Sequence, residues 1–574
     1  MRINLFIIFF LLFSIIIGAQ TIHDPNGEIY KDIDIWLVKG YVKEFPPMTR
    51  PYPEKLISKI LEQVIDNGDE NAVESAQKYL DTLAPGTRAL HPGLKTYVQG
   101  NEEDYGIVIS PFIEGLLHIR NLFSVSYNFT FHADTKKYDS EINRYDGEQF
   151  VVPGTYSPYP DLVNDKADVW KFRVLQNWTS LIALGKDDIY FQGGLSRSSY
   201  GPFYDNGVVV GPQAPRAGHF SFVFLEPKYS FEMLFQTIVA TDYYLYDWYP
   251  AKYNIVHTLN FRPIKNIEFG LVQSLIFGER IELLYLVPFS YLFGSQAITG
   301  FYDNAFIGLN FRWRLVDTFL VNGQVYVDDF SVNGLLDGKP DFKAAGEIGV
   351  SWSPSGIISK IDFDYTAVMP YTYTHWPVPS NLRYNGHEND DQTRPPRGKE
   401  SPFAPNFYDY THMGRNIGPD LEPNSDRISL RSNWKAFRNF DINLSAYLIR
   451  HANASDNKPL LAPDYHDGSV FDTGSTDPWY NDKEPQPSTK TIHNYYPMEF
   501  LTQSVIETKL GGTIGVTWSI PTSVGIFKLM GGYGIQYVWN RSIKSIDNVN
   551  IKSIIDPGNN GFDHFWNIGV MWSW

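Results

Sequence analysis

The chain has 574 residues, no cysteine and a formal net charge of −16 at pH 7. This charge argues against nucleic acid as a partner, because neutralising phosphates requires a basic surface. Without cysteine the chain can be neither disulfide-linked nor a lipoprotein, so backbone hydrogen bonds and packing must hold its fold together.

The first 19 residues are typical of a secretory signal peptide. Arg2 precedes an uncharged run from Leu5 to Ile17, and the small residues Gly18 and Ala19 follow. The run is shorter than the roughly 20 apolar residues of a membrane-spanning helix, and polar sequence follows it at once. We therefore expect cleavage after Ala19.

Residues 20–92 form a predicted periplasmic helical domain. Pro53 and Pro85 bracket two stretches with apolar residues at helical spacing, and residues 32–41 favour a shorter helix before them. The apolar positions are Leu56, Ile57, Ile60, Leu61, Val64 and Ile65, then Val73, Ala76, Tyr79, Leu80 and Leu83. Because such stripes need a cover, we expect the domain to pack at the periplasmic mouth of a barrel; a linker helix is the alternative.

From about residue 93 the apolar period becomes two, which is typical of β-strands. In the strand from Ile307 to Leu315, Arg312 and Arg314 fall on the opposite face from the apolar residues, so they should face a wet lumen. The last strand alternates up to the C-terminus; its apolar face consists of Trp566, Ile568, Val570, Trp572 and Trp574. Residues 93–574 are therefore predicted to be a mostly β protein, a transmembrane antiparallel β-barrel.

Connections that alternate between short and long predict periplasmic turns and external loops. Seventeen strands are evident between them, but a chain that starts and ends in the periplasm needs an even number. The missing strand is assigned to Gly93–Gln99, with a tight external loop at 101–104, which makes about 18 strands. The predicted external loops are 135–167, 201–218, 278–303, 369–426, 452–506 and 539–562. The two longest carry many aromatic rings, so we expect folded loops that form a surface or plug the lumen.

Five tryptophans lie just before short turns or the C-terminus and predict a periplasmic aromatic girdle; ordinary strand positions are the alternative. They are Trp313, Trp352, Trp434, Trp518 and Trp572. The stretch from Leu283 to Phe301 has no charge. We expect it to fold inward and constrict the barrel, or to pack on neighbouring loops.

No catalytic motif is evident in the sequence. Asp328 and Asp329 are a poor glycosidase pair, because adjacent strand residues point to opposite faces, and capping a loop is the better role. His412 has no partner at metal-ligand spacing, and neither a nucleophile elbow nor a Walker loop occurs. We expect no enzyme, no metal and no cofactor.

Three stretches resemble the capsule assembly protein Wzi family. They are Gly194–Phe203 continuing into Ala214-Pro215, Pro288-Phe289 through Tyr302-Asp303-Asn304 to Tyr326–Asp329, and Tyr410–Asp420. Ser196-Arg197 and Tyr200–Phe203 stand where the family has Gly-Arg and Trp-Gly-Pro-Gly. The resemblance implies an eighteen-stranded outer-membrane barrel with a periplasmic helical bundle, acting as a lectin that anchors or organises exported polysaccharide.

Sugar recognition needs aromatic faces and paired hydrogen-bond groups, and Arg197, Tyr200, His412 and Arg415 are the candidate residues. The two arginines would bind the carboxylates of an acidic glycan as bidentate forks. For Arg197 the alternative is a lumen salt bridge to an acidic strand residue.

The sequence thus favours a non-enzymatic protein of the bacterial outer membrane that binds and assembles surface polysaccharide. Its other expected partners are outer-membrane lipid, lipopolysaccharide and the barrel-insertion machinery. The rival hypothesis is a diffusion porin, which Arg312 and Arg314 on the inward face would suit. A third, a surface adhesin, rests only on the aromatic loops.

Overall fold

The structure is a computed structural model, and the part of the chain that it describes begins at residue 25. The described residues are 25, 27–83, 90–101, 105–119, 123–135, 166–169, 172–203, 206–239, 251–278, 280–299, 303–330, 342–354, 356–374, 407–412, 415–437, 439–453, 500–546 and 551–573. The predicted signal peptide lies outside these residues, as do most of loop 135–167 and the central parts of the two longest loops.

Among the described residues, three helices precede the barrel: α1 (Glu28–Val38), which begins and ends earlier than the predicted 32–41, α2 (Glu54–Asn67) and α3 (Glu70–Leu83). Pro53 occupies the position before α2, where a missing N–H costs nothing. Their apolar stripes share one core with inward side chains of the barrel wall, among them Tyr190, Val223 and Leu320. The domain therefore packs against the barrel and is not a bare linker.

Asp69 directly precedes α3, caps its N-terminus and bonds it to the rest of the helical domain. Its carboxylate accepts the Ala72 N–H (2.9 Å) and the Tyr41 hydroxyl (2.8 Å), and it pairs with Lys39 (3.2 Å). Burial alone would raise the pKa of Asp69, but these donors outweigh it and lower that pKa. Burial and the neighbouring carboxylate raise the pKa of Tyr41 to about 12.

Eighteen antiparallel strands close the barrel through pairing of the first with the last. In chain order they are β2 (His91–Gly100), β3 (Tyr105–Ile119), β4 (Phe123–Asp134), β6 (Phe172–Gly185), β7 (Ile189–Ser196), β9 (Ala217–Leu225), β10 (Tyr229–Val239), β11 (Ala251–Ile264), β12 (Ile267–Gly278), β13 (Asn304–Val316), β14 (Phe319–Phe330), β15 (Phe342–Trp352), β16 (Ile358–Val368), β19 (Ser425–Phe437), β20 (Phe440–His451), β21 (Glu507–Thr522), β22 (Gly525–Trp539) and β25 (Gly561–Ser573). The predicted count and the predicted first strand are confirmed.

Shorter elements belong to the connections. They are β1 (Thr49–Arg50), β5 (Lys166–Val169), β8 (Ser199–Tyr200), β17 (Thr411–His412), β18 (Arg415–Asn416), β23 (Ser542–Ile546), β24 (Ile551–Ile555) and the helix α4 (Leu292–Thr299). No helix among the described residues is long and apolar enough to cross a membrane.

The register gives the barrel an apolar outer face and a polar inner face. Leu309 and Ile348 point outward and are 63% and 60% exposed, whereas Asn310 and Gln324 point inward and are buried. This alternation suits a wall that meets lipid. The five girdle tryptophans all lie on the outward face near short turns or the C-terminus, as predicted.

The helical domain docks at the short-turn end of the barrel. The Thr318 N–H donates to the Val38 carbonyl (2.9 Å), and Lys59 pairs with Asp187 (3.1 Å) at another short turn. From this end, residues 42–50 enter the lumen, where the Arg312 guanidinium donates to the Pro46 carbonyl (2.7 Å). Arg312 and Arg314 point into the lumen as predicted, but protein rather than water surrounds them, because the inserted segment plugs this part of the lumen and leaves them 1% and 2% exposed.

The expectation for the uncharged stretch 283–301 is wrong. Its described part lies on the outer face of the barrel, where Phe289 stacks on the outward ring of Phe231 with centroids 4.0 Å apart. The outward polar side chain of Gln273 explains the position, because its amide bonds the Ser290 carbonyl (2.8 Å) and the Leu292 N–H (2.9 Å). Among the described residues, the stretch packs on the outer wall and does not enter the lumen or contact another loop.

Candidate binding site at the long-loop end

The connection between β8 and β9 turns into the barrel lumen. Val208, Val209 and Val210 are fully buried there. The hydroxyls of Tyr373 and Tyr410 donate to the Val208 and Val209 carbonyls, both at 2.6 Å. Burial raises the pKa of both tyrosines well above the usual value, so they remain protonated donors.

Residues 369–374, 407–412 and 415–424 fold inward beside this connection, and we call them together with residues 206–216 the plug. The Gly211 N–H donates to the Ile417 carbonyl (2.8 Å), which joins two of its segments. Asp328 accepts the Tyr373 N–H (2.8 Å), so this carboxylate caps a loop as expected, while the Asp329 side chain lies outside the described residues. The described part of loop 369–426 plugs the lumen, which is one of the two arrangements expected for the longest loops, and the described part of loop 201–218 packs inward beside it.

The segment that follows α1 meets β8 and the start of the β8–β9 connection inside the barrel. Thr49 pairs with Tyr200 in the short ladder between β1 and β8, and the Gly201 N–H donates to the Met48 carbonyl (3.1 Å). The buried Glu232 carboxylate accepts the N–H groups of Met48 (3.1 Å) and Thr49 (2.8 Å). Segments from both ends of the barrel therefore occupy this side of the lumen.

Two of the four candidate residues are buried within the barrel. Tyr200 is 1% exposed, and its hydroxyl oxygen accepts hydrogen bonds from Thr258 and from Asn310, the latter at 2.7 Å. His412 is 3% exposed; its Nδ1 accepts the Val239 N–H (3.0 Å), so Nε2 carries the proton and donates to the Arg216 carbonyl (3.0 Å). Both side chains stabilise the plug, and neither presents a ring to the outside.

The two arginines lie partly exposed around the segment 213–216. The Arg197 guanidinium donates to the carbonyls of Gln213 (3.2 Å) and Ala214 (3.4 Å). Arg415 pairs with His412 in the β17–β18 hairpin, and its guanidinium has no acceptor among the described residues. The structure thus brings Arg197, His412 and Arg415 around one segment, with Tyr200 deeper in the lumen. Their binding role stays a prediction.

Sequence reasoning missed two groups that shape this end of the barrel. Arg216 is also partly exposed, and it immediately follows the Ala214-Pro215 pair. Lys252 and Asp409 form an ion pair that is almost fully buried between β11 and the plug. Arg216 could have been found from the sequence because it directly follows the Ala214-Pro215 motif. Lys252 and Asp409 are 157 residues apart, so no spacing in the sequence indicates their ion pair.

Among the described residues, no three histidine, aspartate or glutamate side chains come together as metal ligands. The described side chains Arg197 and Arg415 supply hydrogen-bond donors and positive charge around the segment 213–216.

No protein-family model and no curated protein matches the sequence. Among solved structures, the chain is similar to Wzi of Escherichia coli, an outer-membrane protein involved in group 1 capsule assembly and a carbohydrate-binding β-barrel. Sequence identity is 11%, the match covers 96% of this chain and 98% of that chain, and the TM-score is 0.52. The fold is that of an outer-membrane barrel.

Two porin-type barrels match less closely. OprD of Pseudomonas aeruginosa has 8% identity and a TM-score of 0.38, covering 85% of this chain and 94% of that chain. OccAB2 of Acinetobacter baumannii has 9% identity and a TM-score of 0.39, covering 85% and 97%. The closed barrel with its apolar outer face belongs in the bacterial outer membrane.

Proposed function

We propose that this protein binds exported surface polysaccharide at the long-loop end of its barrel and anchors it to the cell, without catalysing a reaction. The observation that carries the proposal is Arg415, whose partly exposed guanidinium has no acceptor among the described residues. A charged group with unused donors at the rim is available to a ligand. The proposal includes contact of the outer wall with membrane lipid and lipopolysaccharide, and delivery of the chain by the barrel-insertion machinery.

The surroundings of Arg415 supply a rigid base. Its ladder partner His412 is held from two sides, by the Val239 N–H and the Arg216 carbonyl. A side chain on an already ordered hairpin loses less freedom on binding, which increases the net affinity. Arg197, fixed against the carbonyls of 213 and 214, adds a second positive charge at the same segment.

This pair of guanidinium groups favours acidic polysaccharides. The Arg415 guanidinium can donate two parallel hydrogen bonds to a carboxylate, and such charge-assisted contacts contribute about 1.5–3 kcal/mol each. Because the net charge of −16 repels polyanions in general, an acidic glycan would have to bind at such local basic positions. The similarity of the whole fold to a carbohydrate-binding barrel supports the same class of ligand.

One observation favours the second candidate, a diffusion porin for small solutes. On the inner face of β20 and β21, Asn443 is exposed and no atom lies within 4 Å of the position where a Cβ on Gly515 would be. This side of the lumen wall is therefore not packed against the described parts of the plug. A porin would show steady conductance in a planar bilayer with the wild-type chain.

The test is binding of the detergent-solubilised protein to polysaccharide extracted from its own source cell. Arg415→Ala should weaken saturable binding by about 10- to 100-fold, which corresponds to the loss of one charge-assisted contact. Arg541→Ala is the matched control, because Arg541 is also partly exposed near the long-loop end but already pairs with Asp563 (2.7 Å). Absence of binding by the wild type, together with steady conductance, would favour the porin instead.

A further inference from the structure

Residues 280–299, which we call the strap, connect β12 to β13 by passing over the outer wall of the barrel. The strap packs on outward side chains of β9 to β12, in a cluster that is separate from the lumen. That cluster contains Phe222, Phe231, Met233, Tyr253, Ile255, Leu275 and Phe277 from the wall, with Tyr285 and Leu292 from the strap. Strand register places all seven wall residues on the outward face.

The strap begins at the rim and descends almost the full length of the wall. Its first residue, Arg280, forms a bidentate ion pair with Asp303, which directly precedes β13; Arg280 Nη1 and Nη2 bond the carboxylate at 3.1 and 2.6 Å. At its far point, Phe289 stacks on Phe231, the third residue of β10 from the short-turn end. Eight residue steps separate Phe231 from the end of β10, which is roughly 26 Å at about 3.3 Å per residue.

The side of the strap that faces away from the barrel is apolar as well. Five large side chains are half to four-fifths exposed there: Leu283 (71%), Val287 (50%), Phe289 (59%), Tyr291 (66%) and Ile298 (82%). No charged residue occurs from Leu283 onward in the strap. A contiguous apolar surface of this kind is unfavourable in water.

Many polar groups of the strap are bonded internally or to the wall, as a lipid environment requires, although Ser290 Oγ is buried without a hydrogen-bond partner among the described residues. Successive backbone turns close at Leu286, Val287 and Ser290, and the helix α4 continues them. Thr299 Oγ1 donates to the Ser295 carbonyl (3.1 Å) and Ser295 Oγ to the Tyr291 carbonyl (3.0 Å). The Gln273 amide bonds the strap from the wall side.

We propose that the strap is embedded in the membrane and that the acyl chains of the bilayer cover its outer side. It lies on the same outward face as the exposed Leu309 and Phe269, which a membrane-spanning barrel turns to lipid. The strap adds a second protein layer to this wall and replaces contact between lipid and the polar side chains His257 and Gln273. This inference does not depend on the proposed glycan binding.

The absence of cysteine from the chain makes the test direct. Single substitutions Val287→Cys, Tyr291→Cys and Ile298→Cys are labelled with bimane in the full-length protein, which is then reconstituted into vesicles of phosphatidylcholine with brominated acyl chains. Leu309→Cys is the control for lipid contact and Asp420→Cys, exposed in the plug, the control for water. Heat-modifiable electrophoretic mobility selects the folded variants.

We expect the strap positions to lose as much fluorescence to brominated lipid as Leu309→Cys does, and to be protected from iodide in the aqueous phase. Quenching by iodide as at Asp420→Cys, with no effect of bromine, overturns the proposal. Oxidative cross-linking of two copies through Tyr291→Cys without quenching by lipid also overturns it, because a second copy would then cover the strap. The three positions keep the test valid if one variant fails to fold.

Discussion

The ion pair between Lys252 and Asp409 offers the sharpest test of how the plug is held. Lys252 is on the inner face of β11 and Asp409 is in the plug, and their side chains are 0% and 1% exposed. The Lys252 ammonium also donates to the Thr411 carbonyl (3.0 Å). Lys252→Met keeps most of the side-chain volume but leaves the Asp409 carboxylate buried without its cation.

The cost follows from this burial. Removing one partner of a buried ion pair destabilises by about 3–5 kcal/mol, whereas replacing both partners with neutral groups is often nearly neutral. Since every 1.4 kcal/mol is tenfold, the equilibrium for release of the plug should rise by about 10² to 10⁴ in Lys252→Met. The double variant Lys252→Met/Asp409→Asn should return most of the way to the wild type.

The assay places one cysteine at the plug residue Ile417, which is 1% exposed, in each background. When opening is faster than labelling, the rate of modification by a water-soluble maleimide measures the open fraction. Planar-bilayer recordings follow the same variants, with more frequent large openings expected in Lys252→Met alone. Equal labelling rates in Lys252→Met and the wild type, or a double variant more open than the single one, would refute the reasoning.

Three further predictions concern other parts of the molecule. Asp69→Asn should destabilise α3 at pH 7 by less than about 1 kcal/mol, because the group is partly exposed. Because the pKa of Asp69 is lower in the folded protein than its unfolded value near 3.9, the carboxylate stabilises the fold above that unfolded pKa. This contribution disappears as the pH falls through the folded pKa. Hydrogen exchange of α3 should therefore not distinguish variant and wild type in strong acid. Leu309 is in the middle of β13 on the lipid-facing side, so Leu309→Arg should lower the free energy of unfolding of the barrel in lipid by about 2–4 kcal/mol. The lumen substitution Asn443→Arg should lower it far less. Unfolding in guanidinium measures both values. Glu232→Gln weakens two charge-assisted hydrogen bonds to the backbone of residues 48 and 49. It should speed proteolysis of residues 42–50 and have a smaller effect on the free energy of unfolding of the barrel.

The sequence alone determines the barrel because a period of two is a local property. Ile307, Leu309 and Phe311 alternate with polar neighbours whatever the rest of the chain does, so the lipid-facing side of each strand is evident from short stretches. The even strand number follows because the barrel strands must start and end in the periplasm. The apolar stripes of α2 and α3 follow from the spacing of apolar residues within each helix. Each of these predictions depends on contacts between near neighbours in the chain.

Only the tertiary structure decides what fills the barrel and what covers its wall. Glu232 meets residues 48 and 49, Lys252 meets Asp409, and Tyr200 bonds Asn310, all across more than 100 residues, so no spacing in the sequence indicates these contacts. The composition of the uncharged stretch 283–301 indicates that it packs against other protein or lipid, but not on which side of the barrel wall it lies. The outward Gln273 and the wall rings around Phe231 make the difference, because they supply partners on one side of the sheet only.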